Sequence, residues 1–386
     1  MNPYEQLDLT KLNVLPLRER KSMATVEETL QDVTTPPPEV DEFTGKLIDR
    51  CVRDIDAAIR RKAAVMFIYG AHLIKNGGQT FLCQMMDRGW VSHLATNGAG
   101  IIHDWEFTFF GQSTECVRSN VATGTFGTWD ETGRHIQLAL LLGGVRGYGF
   151  GQALGKYTYE DGGTIPEPAD IEKLLRDEPS HPLASARADL LHAIRSNALA
   201  PGPLMAFHKY RNTSPLAQAI RHEVPFTVHP GIGYDIYTNH PMFNGGVVGR
   251  GAGADFKVFS NSVDNLDGGV VLNIGTAIMG PQVFEKSLSC VNNLRLNNGR
   301  EVVKDHSIYI IDLQDGGGWD WSEGEPPKEN PAYYLRFCKT YARMGGAMNY
   351  VQCDNIAFLH NLFHRLEALQ GRTARKQNLP VIPDPN

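Results

Sequence analysis

Residues 91–106 read VSHLATNGAGIIHDWE: a short apolar run at 91–95, then Thr96-Asn97-Gly98-Ala99-Gly100, then Ile101-Ile102-His103-Asp104-Trp105-Glu106. A run of that length closed by a glycine loop reads as a buried strand that feeds a helix. The same grammar recurs along the chain. Strand-like runs lie at 65–69, 224–228, 270–274, 308–313 and 348–351, and helical stretches such as 71–88 and 281–295 separate several of them. Short apolar strands alternating with helices predict an α/β fold, a mostly parallel Rossmann-like sheet with helices on both faces.

The loops at the strand ends carry the functional expectation. They are Gly70-Ala71-His72, Thr96 to Gly100, His229-Pro230-Gly231-Ile232-Gly233-Tyr234-Asp235, Gly275-Thr276, Asp315-Gly316-Gly317-Gly318 and Cys353-Asp354-Asn355. In an open α/β sheet the ligand crevice lies beyond the carboxyl ends of the strands. Glycine lets backbone approach a ligand closely, and helix N-termini offer free N–H groups to phosphate. Each loop alone reads first as turn chemistry; six together predict one large site for a nucleotide-sized ligand. No GxGxxG comes after the first strand and no P-loop lysine motif occurs, while the glycines of 147–151 come after a helix-like stretch.

The remaining sequence sets the frame. Residues 1–40 read as an arm with a basic patch at Arg18 to Lys21, ending in Thr35-Pro36-Pro37-Pro38; proline cannot continue a helix and favours an extended connector. Residues 41–365 form the main domain, opened by a helix with Phe43, Leu47, Ile48, Cys51, Val52, Ile55 and Ile59 on one face. Residues 156–200 read as a helical insertion and 366–386 as a C-terminal tail. Lys+Arg 37 against Asp+Glu 43 leaves a net charge of -6, so no nucleic-acid partner is expected. No apolar stretch approaches the ~18 residues of a membrane span, and the opening residues lack the layout of a secretory signal. The expected setting is cytoplasmic, with no membrane partner. The six cysteines form no CxxC pair and read as small hydrophobes.

Three groups of side chains are candidates for chemistry. His103 beside Asp104 and Glu106 reads as a general base with carboxylates to orient it; equally, the acids complement a helix dipole and the His is a satisfied buried group. His222, His229 and His240 with Asp235 match no metal-ligand spacing, so no metal is expected. The stretch 315–323, DGGGWDWSE, offers Asp315, Trp319, Asp320 and Glu323 to a cationic substrate through ion pairing and cation–π attraction; the rival reading is a loop between subunits.

Several segments resemble the deoxyhypusine synthase family. Residues 67–77, FIYGAHLIKNG, resemble its first strand and cofactor segment; 94–104, LATNGAGIIHD, resemble its glycine loop; 224–228 resemble its IPVF strand, 268–271 its GGGVV, and 351–355 a late Ala-Asp-Ala segment. The likeness runs in order from 43 to 365 and is poorest over 156–200. It implies an NAD-binding Rossmann-like domain in homotetramers with sites at subunit interfaces, with Ala71, His72, Thr96, Asn97, Gly98, Ala99, Asp235 and Asp354 at the cofactor. His103 falls where the family has a glutamate. The family's Trp-Gly-Lys lysine is absent, because the corresponding stretch is Pro331-Ala332-Tyr333-Tyr334-Leu335-Arg336-Phe337. Without that nucleophile, imine transfer has no carrier. The resemblance therefore implies an NAD-dependent oxidation or transfer on a small substrate, a polyamine-like amine or a polyol, and not deoxyhypusine synthesis. Two alternatives are a catalytically inert NAD-binding or structural homologue and a metal-dependent hydrolase built on His103, Asp104, His229 and Asp235.

Overall fold

The computed structural model describes residues 4–377 and 379, and its centre is a six-stranded parallel sheet. Its strands are β1 (Val65–Tyr69), β2 (His93–Asn97), β3 (Phe226–His229), β4 (Val270–Ile274), β5 (Ser307–Asp312) and β6 (Ala347–Gln352). They lie side by side in the order β3-β2-β1-β4-β5-β6. That is the doubly wound Rossmann order, whose direction of winding reverses between β1 and β4. β1 and β4 are buried along their whole length, which is why they read as apolar runs, broken only by Asn273, whose side chain accepts the Tyr341 hydroxyl at 3.0 Å. Their side chains alternate between two cores. Phe67, Tyr69, Leu272 and Ile274 enter one; Met66, Ile68 and Val271 enter the other with Phe259 and Phe284.

The helices that position the site are α1 (Glu42–Arg61), α2 (Ala71–Lys75), α3 (Gln79–Asp87), α4 (Gly98–Phe110), α5 (Asp130–Gly144), α6 (Phe150–Tyr159), α7 (Gly245–Asp264), α8 (Met279–Asn297) and α9 (Asn355–Leu369). The helix expected over 71–88 is two helices. Gly77 has φ +84 between them, and a side chain there would overlap the Thr29 carbonyl. A remote segment thus imposes the break. α1 begins where Asp41 accepts the Thr44 N–H at 2.9 Å and ends at Lys62 in the left-handed region. Ile48, Cys51, Val52 and Ile55 form its buried face.

The described part of 1–40 is folded onto the domain. Leu17, Val26 and Val33 are buried, Leu15 bridges to Trp129, and Ala24–Thr25 pairs with Gln112–Ser113. Within 156–200, two helices (Pro168–Asp177 and Ala184–Ser196) come after a strand, Gly162–Ile165, which pairs with Gly202–Met205. α9 continues to Leu369, and Arg375 beyond it accepts a hydrogen bond from Gln84 at its carbonyl. Residues 1–3 of the expected arm, and 378 and 380–386 of the expected tail, lie outside the described residues. Among the described residues no helix is long and apolar enough to cross a membrane.

Candidate functional site

β2 ends at Asn97, whose side chain accepts the Gly100 N–H at 2.9 Å and caps α4. α4 is buried around most of its circumference, so its acids enter the interior. Glu106 accepts from Arg20 at 2.7 Å, from the Thr132 hydroxyl at 2.8 Å and from the Ser113 hydroxyl at 2.6 Å. The Arg20 and Glu106 side chains are each 1% exposed. Burial is the largest influence on Glu106 and opposes its ionisation, but the Arg20 charge and hydrogen bond, with His103 and the Ser113 hydroxyl, together hold the carboxyl below its usual range.

Ser113 Oγ lies 2.7 Å from His103 Nδ1. A hydroxyl has one proton, and that of Ser113 is directed to Glu106, so Nδ1 must donate. This assigns His103 as the Nδ1–H tautomer with the Nε2 lone pair free. Burial, helped by the nearby Lys75 and Arg20 charges, holds its pKa down to about 4. His103 is therefore a neutral imidazole at neutral pH.

His103 opens into a cavity of about 220 Å³ that Lys75, Ala99, Glu115, Phe126 and Asp235 also line. α2 packs against α4, which brings Lys75 to this wall. Asp235 Oδ2 accepts the Gly231 N–H at 2.8 Å and the Tyr237 hydroxyl at 3.2 Å. The carboxylate rests on Gly98, where a Cβ would overlap it. Burial pushes Asp235 up to about 6. A neutral imidazole with its Nε2 lone pair free and a carboxyl that titrates just below neutrality thus share one small cavity.

Beside this cavity, the β1–β4 reversal brings Gly70 against the Gly275 carbonyl. Gly275 has φ +59, and a Cβ on it would overlap the Asn355 side-chain amide. Asn355 Oδ1 is buried with no hydrogen-bond partner. At the start of α8 the Thr276 hydroxyl accepts the Gly280 N–H at 3.2 Å, and Pro281 has no N–H to offer. The orphaned Asn355 oxygen at the topological switch point is placed to accept from a polar group of a dinucleotide. The glycine loop after β2 fits it less well. Thr96 donates to the Tyr69 carbonyl, Asn97 caps α4, and the Asp235 carboxylate covers Gly98, which opposes an incoming phosphate. Ala71 and the exposed His72 open α2, and Asp354 is taken up in capping α9 through the Ile356 and Ala357 N–H groups, both at 2.9 Å.

Other expected residues stand apart. Asp104 accepts from Ser214 Oγ and the Leu216 N–H, each at 3.0 Å, and so holds the start of the helix Pro215–Arg221. Burial pushes its pKa up to about 7. Asp315, Trp319 and Asp320 line a separate cleft of about 840 Å³ at the edge strand β6. At ~4.8 Å per strand, β6 is roughly 19 Å across the sheet from β2. Asp315 accepts the Gly317 N–H, Asp320 caps the turn Trp321–Glu323 that contains Glu323, and the Trp319 indole donates to the Gly324 carbonyl. The single large site expected at the strand ends is thus divided. His229 bonds to Thr227, and His240 to Asp130. No three His, Cys, Asp or Glu side chains gather for a metal among the described residues. Lys75, Ser113, Arg20 and Asn355 were not singled out by sequence; Arg20 lay within the basic patch.

No family model matches the chain, and neither does any curated protein. Among solved structures, unliganded AgrE superposes with a TM-score of 0.42 at 13% identity, covering 87% of this chain and 34% of AgrE. A LOR/SDH candidate from Methanococcus maripaludis S2 gives 0.41 at 13% identity, covering 93% and 77%. A candidate deoxyhypusine synthase from Entamoeba histolytica gives 0.41 at 8% identity, covering 87% and 92%. The chain spans about a third of the length of AgrE. Similarity at this level does not place the chain in a family.

Proposed function

We propose that the chain is an NAD-dependent enzyme acting on a small substrate in the His103 cavity. The observation that carries this reading is the buried Arg20–Glu106–Ser113–His103 relay, which opens beside the switch point of a doubly wound sheet. Burying an ion pair is costly, and an inert fold would fill the same space with apolar side chains more cheaply. Asn355 and the Gly70 and Gly275 backbones would hold the dinucleotide. When bound, it supplies the hydride acceptor or donor. His103 Nε2 takes the substrate proton, Ser113 and Glu106 fix the ring, and Asp235 holds the group being deprotonated.

The reading excludes deoxyhypusine synthesis, since no lysine occupies 331–337 and the nearby Lys339 lies 3.6 Å over the Tyr333 ring. The homotetramer with shared sites and the cytoplasmic setting remain part of the proposal. The exposed Ile232, Tyr234, Ile278 and Leu313 on loops after β3, β4 and β5 support a second copy at this rim.

The test is to denature purified protein, identify released nucleotide by mass spectrometry, and titrate NAD into stripped protein by calorimetry. Retained NAD, or binding that Asn355→Leu abolishes, is the expected result. Neither release nor binding would remove the cofactor from the reading.

A further inference from the structure

The polar atoms that the cavity leaves unused describe its ligand. Five charged side chains line it, and three are satisfied within the protein. Arg20 and Glu106 pair with each other. Glu115 accepts from Asn120 at 2.6 Å, the Gly127 N–H at 3.2 Å and the Trp129 indole at 3.0 Å. The other two are open. Lys75 makes no hydrogen bond or ion pair among the described residues, and Asp235 is bonded through Oδ2 alone. His103 Nε2 is also open. Between these groups the wall is apolar, made by Ile102, Val117, Phe126 and Ile236.

We infer that the ligand is a small zwitterion of the amino-acid type, its carboxylate on Lys75, its amine between Asp235 and His103, and its carbon chain on the apolar wall. Lys75 is half-buried and Asp235 buried, so a ligand closing over them takes an ammonium and a carboxylate oxygen out of water, which is costly unless it brings each an opposite charge. A single ligand with both charges answers both. A plain diamine would meet Lys75 with like charge. The cavity, at about 220 Å³, is below the ~300 Å³ floor of sites for drug-sized molecules, so the ligand is small. The inference rests on the reading of this cavity as the substrate site, and departs from the polyamine or polyol that the family resemblance implied.

The experiment is calorimetry on the full chain at saturating NAD, with L-norvaline as zwitterion, n-butylamine as amine without carboxylate, and pentanoate as acid without amine. L-Norvaline should bind tightest. Lys75→Met should remove its advantage over the amine, and Asp235→Asn its advantage over the acid, each by roughly 10- to 100-fold, the size of one hydrogen bond to a charged group. Butylamine binding as tightly as norvaline, or norvaline binding unchanged in Lys75→Met, would overturn the inference. No binding by any of the three would do so as well. NAD titration of the same proteins separates the two claims: norvaline binding without NAD binding removes the cofactor reading and leaves the zwitterion site standing.

Discussion

Ser113 stands between His103 and Glu106, with its hydroxyl 2.7 Å from Nδ1 of one and 2.6 Å from Oε2 of the other. The carboxylate thus orients the imidazole through an intervening hydroxyl. Removing Ser113 breaks the relay without removing a charge. Ser113→Ala should cost about 1–2 kcal/mol in urea unfolding, the scale of one buried hydrogen bond. It should also release the tautomer. ¹⁵N spectra of the His103 ring should change from a fixed Nδ1–H pattern to an exchanging one, and an unchanged pattern would show that Ser113 does not set the proton.

The Arg20–Glu106 pair is a harsher test. Glu106→Gln strands a guanidinium that is 1% exposed, and Arg20→Met strands the carboxylate. Breaking such a pair from one side costs about 3–5 kcal/mol, whereas replacing both partners with apolar groups costs far less. The double variant Arg20→Met with Glu106→Gln should therefore lose less stability than the sum of the two single changes. A strictly additive double variant would show that the two groups do not act as a pair.

The sequence disclosed some of this and hid the rest for identifiable reasons. β1 and β4 were legible because strands covered on both faces become nearly continuous apolar runs. His103 and Glu106 were legible as partners because residues three apart share a helix face. Asp104 was expected to help orient His103, but adjacent residues on a helix do not face each other, and it turns instead to Ser214 and Leu216. Arg20 could not be foreseen, since it reaches Glu106 across 86 residues. The Asp315–Glu323 loop comes after β5 and so reads with the other strand ends. Strand order, which no local pattern encodes, carries it to the far edge.

Asp104 supplies a control in the same helix. Asp104→Ala leaves Ser214 Oγ and the Leu216 N–H without their acceptor. The expected cost is about 1–3 kcal/mol. Binding in the His103 cavity should survive under conditions where the variant is folded. Loss of ligand binding by folded Asp104→Ala would return that residue to the site.

Two glycines separate the two halves of the site. A methyl on Gly98 would overlap the Asp235 carboxylate, so Gly98→Ala should abolish ligand binding in the His103 cavity and spare NAD. Gly275 combines φ +59 with a close Asn355 amide, so Gly275→Ala should do the reverse. Calorimetry with both ligands on both proteins reads this directly. If each change removes both ligands, the two sites are one.

Stability should fall steeply in mild acid, and the sign is set by which state binds more protons. Burial holds His93, His135 and His208 down to about 3, and His103, His229 and His306 down to about 4. These six stay neutral in the folded chain as pH drops, while in the unfolded chain they take up protons below about 6.5, so stability is lost from that pH downward. Three buried acids oppose them. Asp104 and Asp255 are pushed up to about 7 and Asp235 up to about 6, so the folded state binds their protons first. Six protons favour the unfolded chain and three the folded one, leaving a net of about three and a slope near 4 kcal/mol per pH unit between roughly pH 6 and 5. Urea unfolding at several pH values measures that slope. His208 packs on Trp105 and Phe109 and has no hydrogen-bond partner at either ring nitrogen, although Nδ1 is 3.4 Å from an Asp161 oxygen. His208→Phe should keep the ring packing and reduce the slope by about 1.4 kcal/mol per pH unit, the share of one histidine. An unchanged slope in that variant would mean that His208 is already protonated in the folded chain, held so by Asp161.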